Sequence, residues 1–546
     1  MKKTFIISVV LVLLTLPTLL PYFNIKFFYT QDYIFIARLQ QMSTVLFSGQ
    51  FPVRWAPDLR YGEPIFNFYA PLPYYIGALV HFLGFDFIWT AKILFMLSAV
   101  LSAAAMYILV NHLFGKKAGL LAAVLYTYAP YKAVDMYVRG SLSETWAFIF
   151  FPLIFYTSLI LVQKINFKHI AFLALSLAGL FLTHNVTTLM FLPFLLSWWV
   201  YLMLREKKWK IFIFFIISSV LGLGLAAFFL LPAIFENNLI QTKYLTVGYF
   251  NFRAHFVAFW QFFSLLWGYG SSVWGLEDGL SFQVGLVNIA VLAAGFVLAV
   301  LKRKNRQLLG LLGLLGASFI LSVFLQHNKS AFVWEAVPEM AFIQFPWRFL
   351  GISVFIVSII GGIVSVYLKN KLSIFYYILI IAAMISTLSY FRPKEYAEDN
   401  FFDKFLQVET MRQGVDLTKD YLPIWVQTTD GDRFDTLRAE SGEITVLKKE
   451  QRSTRLNFSV EVATKSSVEA PVTYFPGWEV RANQVVIAQS PPSKMGLIRF
   501  ELPQGSYKVN IELMDTPART LGNGISLISL LIILAFLKFR KRHINV

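Results

Sequence analysis

The sequence contains no cysteine and few charged residues. The absence of cysteine in its 546 residues excludes disulfides, thiolate catalysis and cysteine-ligated zinc. Charged residues make up 14% of the chain and hydrophobic residues 57%, whereas a soluble domain carries about 25% charge. Because such a chain cannot cover its apolar surface in water, the composition predicts an integral membrane protein.

The sequence also lacks several motifs that would assign a soluble activity. It has no Walker loop, no GxSxG or HExxH motif and no dinucleotide fingerprint, so a nucleotide-driven transporter and a zinc protease are unsupported. The net charge of +17 does not indicate nucleic-acid binding, since no basic recognition element accompanies it. Most of the excess Lys and Arg is instead expected in cytoplasmic loops.

The basic residues fall into seven short clusters, and placing all seven in the cytoplasm predicts twelve spans with both termini cytoplasmic. The clusters are Lys2/Lys3, Lys116/Lys117, Lys164/Lys168, Arg205 to Lys210, Lys302 to Arg306, Lys369/Lys371 and Lys538 to Arg542. The predicted spans are 4–23, 87–111, 118–134, 144–163, 169–185, 187–204, 211–233, 283–301, 307–326, 347–368, 372–391 and 520–537. The short apolar stretch at 71–85 is predicted to be a juxtamembrane or re-entrant helix.

We therefore predict a mainly α-helical fold, a polytopic transmembrane bundle with an extracytoplasmic β-sandwich near its C-terminus. The units are a transmembrane domain at 1–391 with a large first outer loop at 24–86, a β-sandwich at 392–519, and a final helix with a basic cytoplasmic tail at 520–546. The sandwich is indicated by alternating segments at 455–462 and 497–502 and by turn signals such as Pro476-Gly477.

This topology places nearly all acids outside the cytoplasm. The inner loops contain one acid, Glu206, of the 31 in the chain, so carboxylate chemistry is predicted on the outer face. Four outer segments combine aromatic with charged residues at membrane depth. Such a groove suits a substrate with a lipid tail and a polar head; the alternative is an aromatic belt that anchors loops at the interface.

Asp32 is the first candidate for chemistry. It follows the first helix and precedes a stretch in which Ile34, Phe35, Leu39 and Met42 form one apolar face of a predicted surface helix. A carboxylate held at headgroup level could act as a general base. The alternative is that Asp32 caps the N-terminus of that helix.

Further candidates lie in the other outer segments. Asp135, Arg139 and Glu144 could clamp a phosphate, because the planar guanidinium matches phosphate oxygens, or could form a buried ion-pair network. The other candidates are Arg348 after Pro346-Trp347, His184 beside Asn185 and, more weakly, His255 with Arg253. Asp32 and Asp135 could also hold a divalent cation, Mg²⁺ or Mn²⁺.

The order of these segments resembles the GT-C superfamily of polytopic glycosyltransferases, and it looks closest to bacterial YfhO-like membrane proteins. The resemblance rests on Asp32 after the first helix, GQFPVRWAPDLRYGEPIFNFYAPLPYY, RGSLSETWAF, FPWRFL, and YFPGW before a last helix. It covers nearly the whole chain.

This resemblance implies an outer-face glycosyltransferase with a polyprenyl-phosphate sugar donor and a glycan, lipid or protein acceptor outside the cell. Asp32 would be the catalytic base or metal-linked residue, and Asp135 matches a second acid after the third helix. Aminoarabinose transferases carry a lysine beside the proline where this chain has Gly62-Glu63-Pro64. The phosphate partner would then be Arg60, Arg139 or Arg348, with Glu63, Glu144 and His184 as further substrate-binding candidates.

Two alternatives of other classes remain open at the level of the sequence. A lipid-linked sugar transporter or flippase would also need a lipid groove, but it requires charged groups along the whole transmembrane route. An envelope assembly protein would instead depend on its β-sandwich for binding glycan or protein.

Overall fold

The computed structural model describes residues 2–368, 372–413, 419, 421–430 and 433–538. The predicted basic clusters at Lys369/Lys371 and beyond Lys538 lie outside the described residues. Helices α1 to α10 are Lys2–Thr15, Phe35–Phe47, Leu72–Phe82, Phe87–Phe114, Lys116–Thr127, Pro130–Ala133, Leu142–Gln163, Phe167–Phe181, Asn185–Glu206 and Ile211–Leu225. Helices α11 to α19 are Ala227–Phe235, Leu286–Leu301, Arg306–Gln326, Ala331–Ala336, Leu350–Tyr367, Ser373–Leu388, Phe401–Phe405, Val408–Arg412 and Pro517–Lys538.

Among the described residues, seven helical segments are long and apolar enough to cross a membrane, or eight if the bent pair α10–α11 forms one span. The two helices of that pair meet at 76°. Three shorter apolar helices, α8, α12 and α16, occupy further predicted spans. The predicted helical bundle is thereby confirmed, although several of its elements are shorter than a full span.

The span predicted at 118–134 is wrong as a continuous helix. Helix α5 ends at Thr127, and a short helix and a π-helical turn at Val134–Arg139 follow. Pro130 explains the break, because a proline disfavours helical backbone in the residue before it and lacks the N–H that continues a helix. The break brings the Asp135 segment into the protein interior.

The first outer loop is folded into the protein rather than laid along its surface. Phe35, Leu39 and Met42 of α2 are buried, and Ala37 and Gln41 on the opposite face of the helix are buried as well. The predicted surface helix is therefore wrong. Helix α3, at Leu72–Phe82, falls within the predicted juxtamembrane stretch and is too short to span a bilayer.

The C-terminal domain is a β-sandwich, as predicted. Its strands β1 to β9 are Arg438–Ser441, Ile444–Arg452, Arg455–Val462, Ser466–Thr473, Trp478–Ala482, Val485–Ile487, Gln489–Ser490, Leu497–Leu502 and Gly505–Leu513. They form a four-stranded sheet, β1-β4-β8-β7, and a five-stranded sheet, β2-β3-β9-β5-β6. Apolar side chains of both sheets, including Val468 and Phe500 from the first and Phe458 and Ile511 from the second, share one core.

A buried polar network ties the first outer loop to the last helix. Arg54 donates to Asn67, to the Phe228 carbonyl, to Asp515 and to Asn523. Glu236 accepts from Asn67, from Thr516 and from two nitrogens of Arg519. We call Arg54, Asn67, Glu236, Thr516 and Arg519 the anchor network. It fixes the start of α19, just after the sandwich, against the membrane helices.

Candidate functional site

Four charged candidate residues from three segments meet in the interior. Asp135 and Arg139 lie on the π-helical turn Val134–Arg139, Glu144 lies in the first turn of α7, and Arg348 lies on the 3-10 turn that precedes α15. Each is buried. We call these four residues and Tyr131 the arginine cluster.

Glu144 is the centre of the arginine cluster. Its Oε2 lies 2.8 Å from Arg139 Nη1 and 3.6 Å from Arg348 Nε. Its Oε1 accepts a 2.6 Å hydrogen bond from the Tyr131 hydroxyl. Arg139 Nη1 also pairs with Asp135 Oδ1. The ion-pair alternative is thus realised, and it holds two guanidinium groups against one carboxylate.

The hydrogen bonding of this cluster is incomplete. Within the described residues, the buried Asp135 Oδ2 and Arg348 Nε have no hydrogen-bond partner. Among the described residues, every side-chain hydrogen bond of Arg139 is donated by its Nη1. Burial, and next the proximity of Glu144, raises the pKa of Asp135 above its ordinary value. An unmet donor on a buried guanidinium group is suited to an anionic ligand.

Asp32 lies directly beside this cluster. Its backbone N–H donates to the Arg139 carbonyl at 2.8 Å, and the N–H of Gln31 donates to the Val138 carbonyl at 2.9 Å. This approach requires Gly140, which has φ of 68°, because a Cβ there would overlap the Thr30 side chain and the Asp32 carbonyl.

The residue assigned just before α2 is Ile34, which makes no side-chain capping hydrogen bond. The N-cap role of Asp32 stays a prediction. The Asp32 side chain is partly exposed, and its charge acts on Tyr74, as does that of Arg38. The Asp32 carboxylate is therefore at the edge of the interior, whereas its backbone contacts the backbone of Arg139.

His184 borders the cluster from α9. It interacts electrostatically with Glu144, Arg348 and Arg139, and its Nδ1 lies 2.6 Å from Thr187 Oγ1. Removal of its ring from solvent is the main reason that its pKa is lowered to about 3. The imidazole is therefore neutral at physiological pH and contributes a hydrogen-bonding group rather than a charge.

Two residues of the site were not singled out from the sequence. Tyr131 hydrogen-bonds Glu144, and the face of Trp347 lies 4.6 Å from the Arg139 guanidinium carbon. Tyr131 follows Pro130, and Trp347 stands between Pro346 and Arg348. Nothing in the spacing distinguishes them from the many aromatic residues of a membrane interface.

Arg60 and Glu63 lie in a different place. They belong to a turn that joins Ala56 and Glu63 in a β-bridge and that docks on the β-sandwich, where the Thr473 N–H donates to the Tyr61 carbonyl. The Arg60 N–H donates to the Met411 carbonyl, and its charge acts on Arg433. The structure places both residues at this junction rather than in the arginine cluster.

The remaining predictions concern His255 and a metal. Arg253 pairs with Glu335 at the surface, and the buried His255 lies 2.7 Å from Ser272 Oγ.

In the described part of the chain, no three His, Asp or Glu side chains converge as metal ligands. The divalent cation at Asp32 and Asp135 stays a prediction, and the pairing of Asp135 with Arg139 does not favour it.

Comparisons with known proteins agree with a membrane protein. An uncharacterized protein of Lactococcus lactis subsp. cremoris (strain MG1363) is 27% identical over 243 residues, which cover 42% of this chain and 40% of that protein. The match thus spans well under two thirds of the curated relative.

Two solved structures are similar at 14% sequence identity. Arabinofuranosyltransferase AftD from Mycobacteria matches with a TM-score of 0.46 over 74% of this chain and 28% of its own. The oligosaccharyltransferase of Archaeoglobus fulgidus in its apo form matches with a TM-score of 0.45 over 79% of this chain and 62% of its own.

A family of membrane proteins described as the 6-pyruvoyl-tetrahydropterin synthase related domain matches residues 66–392. The matched range includes the whole arginine cluster and more than half of the 546 residues. The chain belongs to this family of membrane proteins.

Proposed function

We propose that the protein is a membrane glycosyltransferase that moves a sugar from a polyprenyl-phosphate donor to an acceptor hydroxyl on the extracytoplasmic side. The observation that carries the proposal is the pair of buried arginines, Arg139 and Arg348, around Glu144, with the backbone of the partly exposed Asp32 hydrogen-bonded to that of Arg139. The arginines would supply a phosphate site, and Asp32 would supply a base.

The two arginines fit the leaving group. When the bond between the sugar C1 and the phosphate oxygen breaks, the oxygen keeps the electron pair and negative charge grows on the phosphate. Arg139 and Arg348 would stabilise that charge, and donors arranged in advance in a site of low dielectric are effective because they need not reorganise. The planar guanidinium can also engage two phosphate oxygens at once.

Asp32 would act on the acceptor. The acceptor oxygen forms the new bond to C1 on the face opposite the phosphate, and its proton passes to the Asp32 carboxylate. The sugar configuration is then inverted. Asp135 and Glu144 would position the arginines, because Asp135 pairs with Arg139 and Glu144 contacts both guanidinium groups.

The place of the cluster suits a lipid-linked donor. Glu144 and Arg348 stand at the starts of two helices, Leu142–Gln163 and Pro346–Tyr367, which are each long and apolar enough to cross a membrane. A phosphate held there would leave its polyprenyl chain at the depth of the hydrocarbon. The neutral His184 would be a hydrogen-bonding partner for the sugar or the phosphate.

The test is sugar transfer in proteoliposomes from a panel of radiolabelled polyprenyl-phosphate sugars, with wild type, Asp32→Asn and Asp86→Asn compared. General-base catalysis contributes about 10²- to 10⁴-fold, so Asp32→Asn is expected to lower the transfer rate by about that factor. Asp86 belongs to the same outer loop and caps α4 by accepting from the Trp89 N–H. Asparagine caps helices as well as aspartate does, so Asp86→Asn should retain the wild-type rate.

The outcomes separate the function classes. Transfer by the folded Asp32→Asn protein at the wild-type rate would contradict the assignment of the base. Labelled lipid that crosses the bilayer without losing its sugar would favour a transporter. A cellular function that survives Asp32→Asn but is lost on deletion of the β-sandwich would favour an assembly protein.

A further inference from the structure

One outer segment is almost entirely apolar and is not used by the proposed reaction. Residues 256–276, FVAFWQFFSLLWGYGSSVWGL, contain no charged side chain. The segment is not a membrane-spanning helix, since the structure shows only a 3-10 turn at Phe259–Phe262 and irregular backbone after it. We call residues 259–280 the aromatic loop. This range adds two charged residues to the apolar run, the exposed Glu277 and the partly buried Asp278.

The aromatic loop is fixed to the ends of two apolar helices. The Val284 N–H, shortly before α12, donates to the Phe262 carbonyl at 3.0 Å. The Trp267 ring stacks on Tyr390, just after α16, with 4.4 Å between ring centroids, and the Tyr269 hydroxyl donates to the Arg392 carbonyl. The loop therefore lies at the membrane face on which α12 begins and α16 ends.

Most of the large side chains of the loop are exposed, although Phe262 and Leu280 are buried. Leu266 and Trp274 are each 73% exposed, and Phe259 and Leu276 are 62% and 60% exposed. Trp260, Phe263, Leu265 and Val273 are also exposed. A contiguous patch of this kind marks a contact with another apolar phase.

The tip of the loop has a fixed conformation. Asp278 accepts hydrogen bonds from the Val273 N–H and from the Gln261 side chain, both at 2.9 Å. A β-bridge between Tyr269 and Leu280 closes the base of the tip. Val273, Trp274 and Leu276 are thus presented together rather than being exposed by local disorder.

The lengths of the neighbouring helices indicate what covers the patch. Helices α12 and α16 have 16 residues each, or about 24 Å at 1.5 Å per residue, whereas the hydrocarbon core is about 30 Å thick. Because these helices are shorter than the hydrocarbon is thick, the segment beyond each helix end begins at the edge of the hydrocarbon. Irregular backbone is not tolerated within the hydrocarbon when it faces lipid, so only the side chains of the loop can enter it.

We propose that the aromatic loop is a membrane-inserted element, with Leu266, Trp274 and Leu276 buried among the lipid chains of the adjacent leaflet. The aromatic loop also contacts the segment that carries Asp32. The side chain of Gln31, the residue before Asp32, donates to the Gly270 carbonyl at 2.8 Å. The loop thus forms the lipid-facing border of the proposed site. Insertion does not depend on the proposed reaction and can be measured without substrate.

The absence of cysteine allows a direct test. Trp274→Cys is labelled with the fluorophore NBD in proteoliposomes of phosphatidylglycerol and phosphatidylcholine, with and without nitroxide-labelled lipids. Phe296→Cys on α12, where Phe296 is 73% exposed, is the control within the membrane. Lys465→Cys is the control in water, since that side chain is 72% exposed on the β-sandwich.

Insertion predicts that the label at position 274 has blue-shifted emission and is quenched severalfold by nitroxide lipids, as at position 296. The label at position 465 should show neither effect. An unquenched label at position 274 with the emission of position 465 would overturn the proposal. A blue shift without lipid quenching would also overturn it, because a second copy of the chain would then cover the patch. A loss of sugar transfer would contradict the proposed reaction but would not affect the conclusion about insertion of the loop.

Discussion

Two buried ionic networks in this chain use similar side chains and differ in how completely they are hydrogen-bonded. In the anchor network, both oxygens of Glu236 accept hydrogen bonds, and Arg519 donates from all three of its guanidinium nitrogens. In the arginine cluster, Asp135 Oδ2 and Arg348 Nε have no such partner within the described residues. Both networks connect segments that are distant in the chain.

The difference separates a structural role from a ligand-binding one. A fully satisfied buried network fixes the relative position of the elements that supply it. A buried polar group without a partner costs free energy, and in a native structure it needs a reason. In the anchor network every guanidinium nitrogen of Arg54 and Arg519 donates a hydrogen bond. In the arginine cluster, Arg348 Nε donates none to the described residues, and such a donor is of the type that binds phosphate.

Glu236→Gln is expected to have the largest effect on stability. It leaves the Arg519 guanidinium, which is 1% exposed, without its counter-charge, and loss of one partner of a buried pair costs about 3–5 kcal/mol. The midpoint of unfolding in a detergent titration should fall markedly. An unchanged midpoint would show that the anchor network does not hold α19.

A matched pair of hydroxyl deletions compares the two networks more finely. Tyr131→Phe removes a 2.6 Å hydrogen bond to Glu144, and Thr516→Val removes a 2.6 Å hydrogen bond to Glu236. Hydrogen bonds to charged groups contribute about 1.5–3 kcal/mol, so both variants should lose stability by a similar amount. Only Tyr131→Phe should also lower sugar transfer per folded molecule. Equal sugar transfer per folded molecule by the two variants would contradict the assignment of different functions to the two networks.

The smallest effect is expected at an exposed pair. Arg253 and Glu335 are about half exposed and lie 2.8 Å apart, and such surface pairs contribute about 0–1 kcal/mol. Glu335→Gln should leave both the unfolding midpoint and sugar transfer near the wild-type values. It is therefore the control for Glu236→Gln, and a large loss would show that charge removal alone is disruptive.

Local patterns in the sequence predicted much of the fold. Apolar runs identified the long helices, and period-2 alternation identified the strands Arg455–Val462 and Leu497–Leu502 with their bounds. The break after Thr127 was missed even though Pro130 signals it, because the apolar run continues across the proline.

The site was predicted only in part, because its parts are distant in the chain. The spacing of Asp135, Arg139 and Glu144 indicated their cluster, whereas its contact with Arg348 depends on tertiary packing. Arg60 and Glu63 were grouped with the site from a resemblance in the first loop. Their turn instead docks on a domain more than 400 residues later, through the Tyr61 and Thr473 backbones, and no local pattern reveals such a contact.

Binding of a radiolabelled polyprenyl phosphate to nanodisc-embedded protein tests the central claim most directly. Wild type is compared with Arg139→Lys and Arg519→Lys, each checked to be folded. Lysine retains the charge but not the planar fork, so Arg139→Lys is expected to bind about tenfold more weakly, or about 1.4 kcal/mol. Arg519→Lys should bind as wild type does. Equal binding by all three proteins, or an equal loss in both variants, would contradict the assignment of the arginine cluster as the phosphate site.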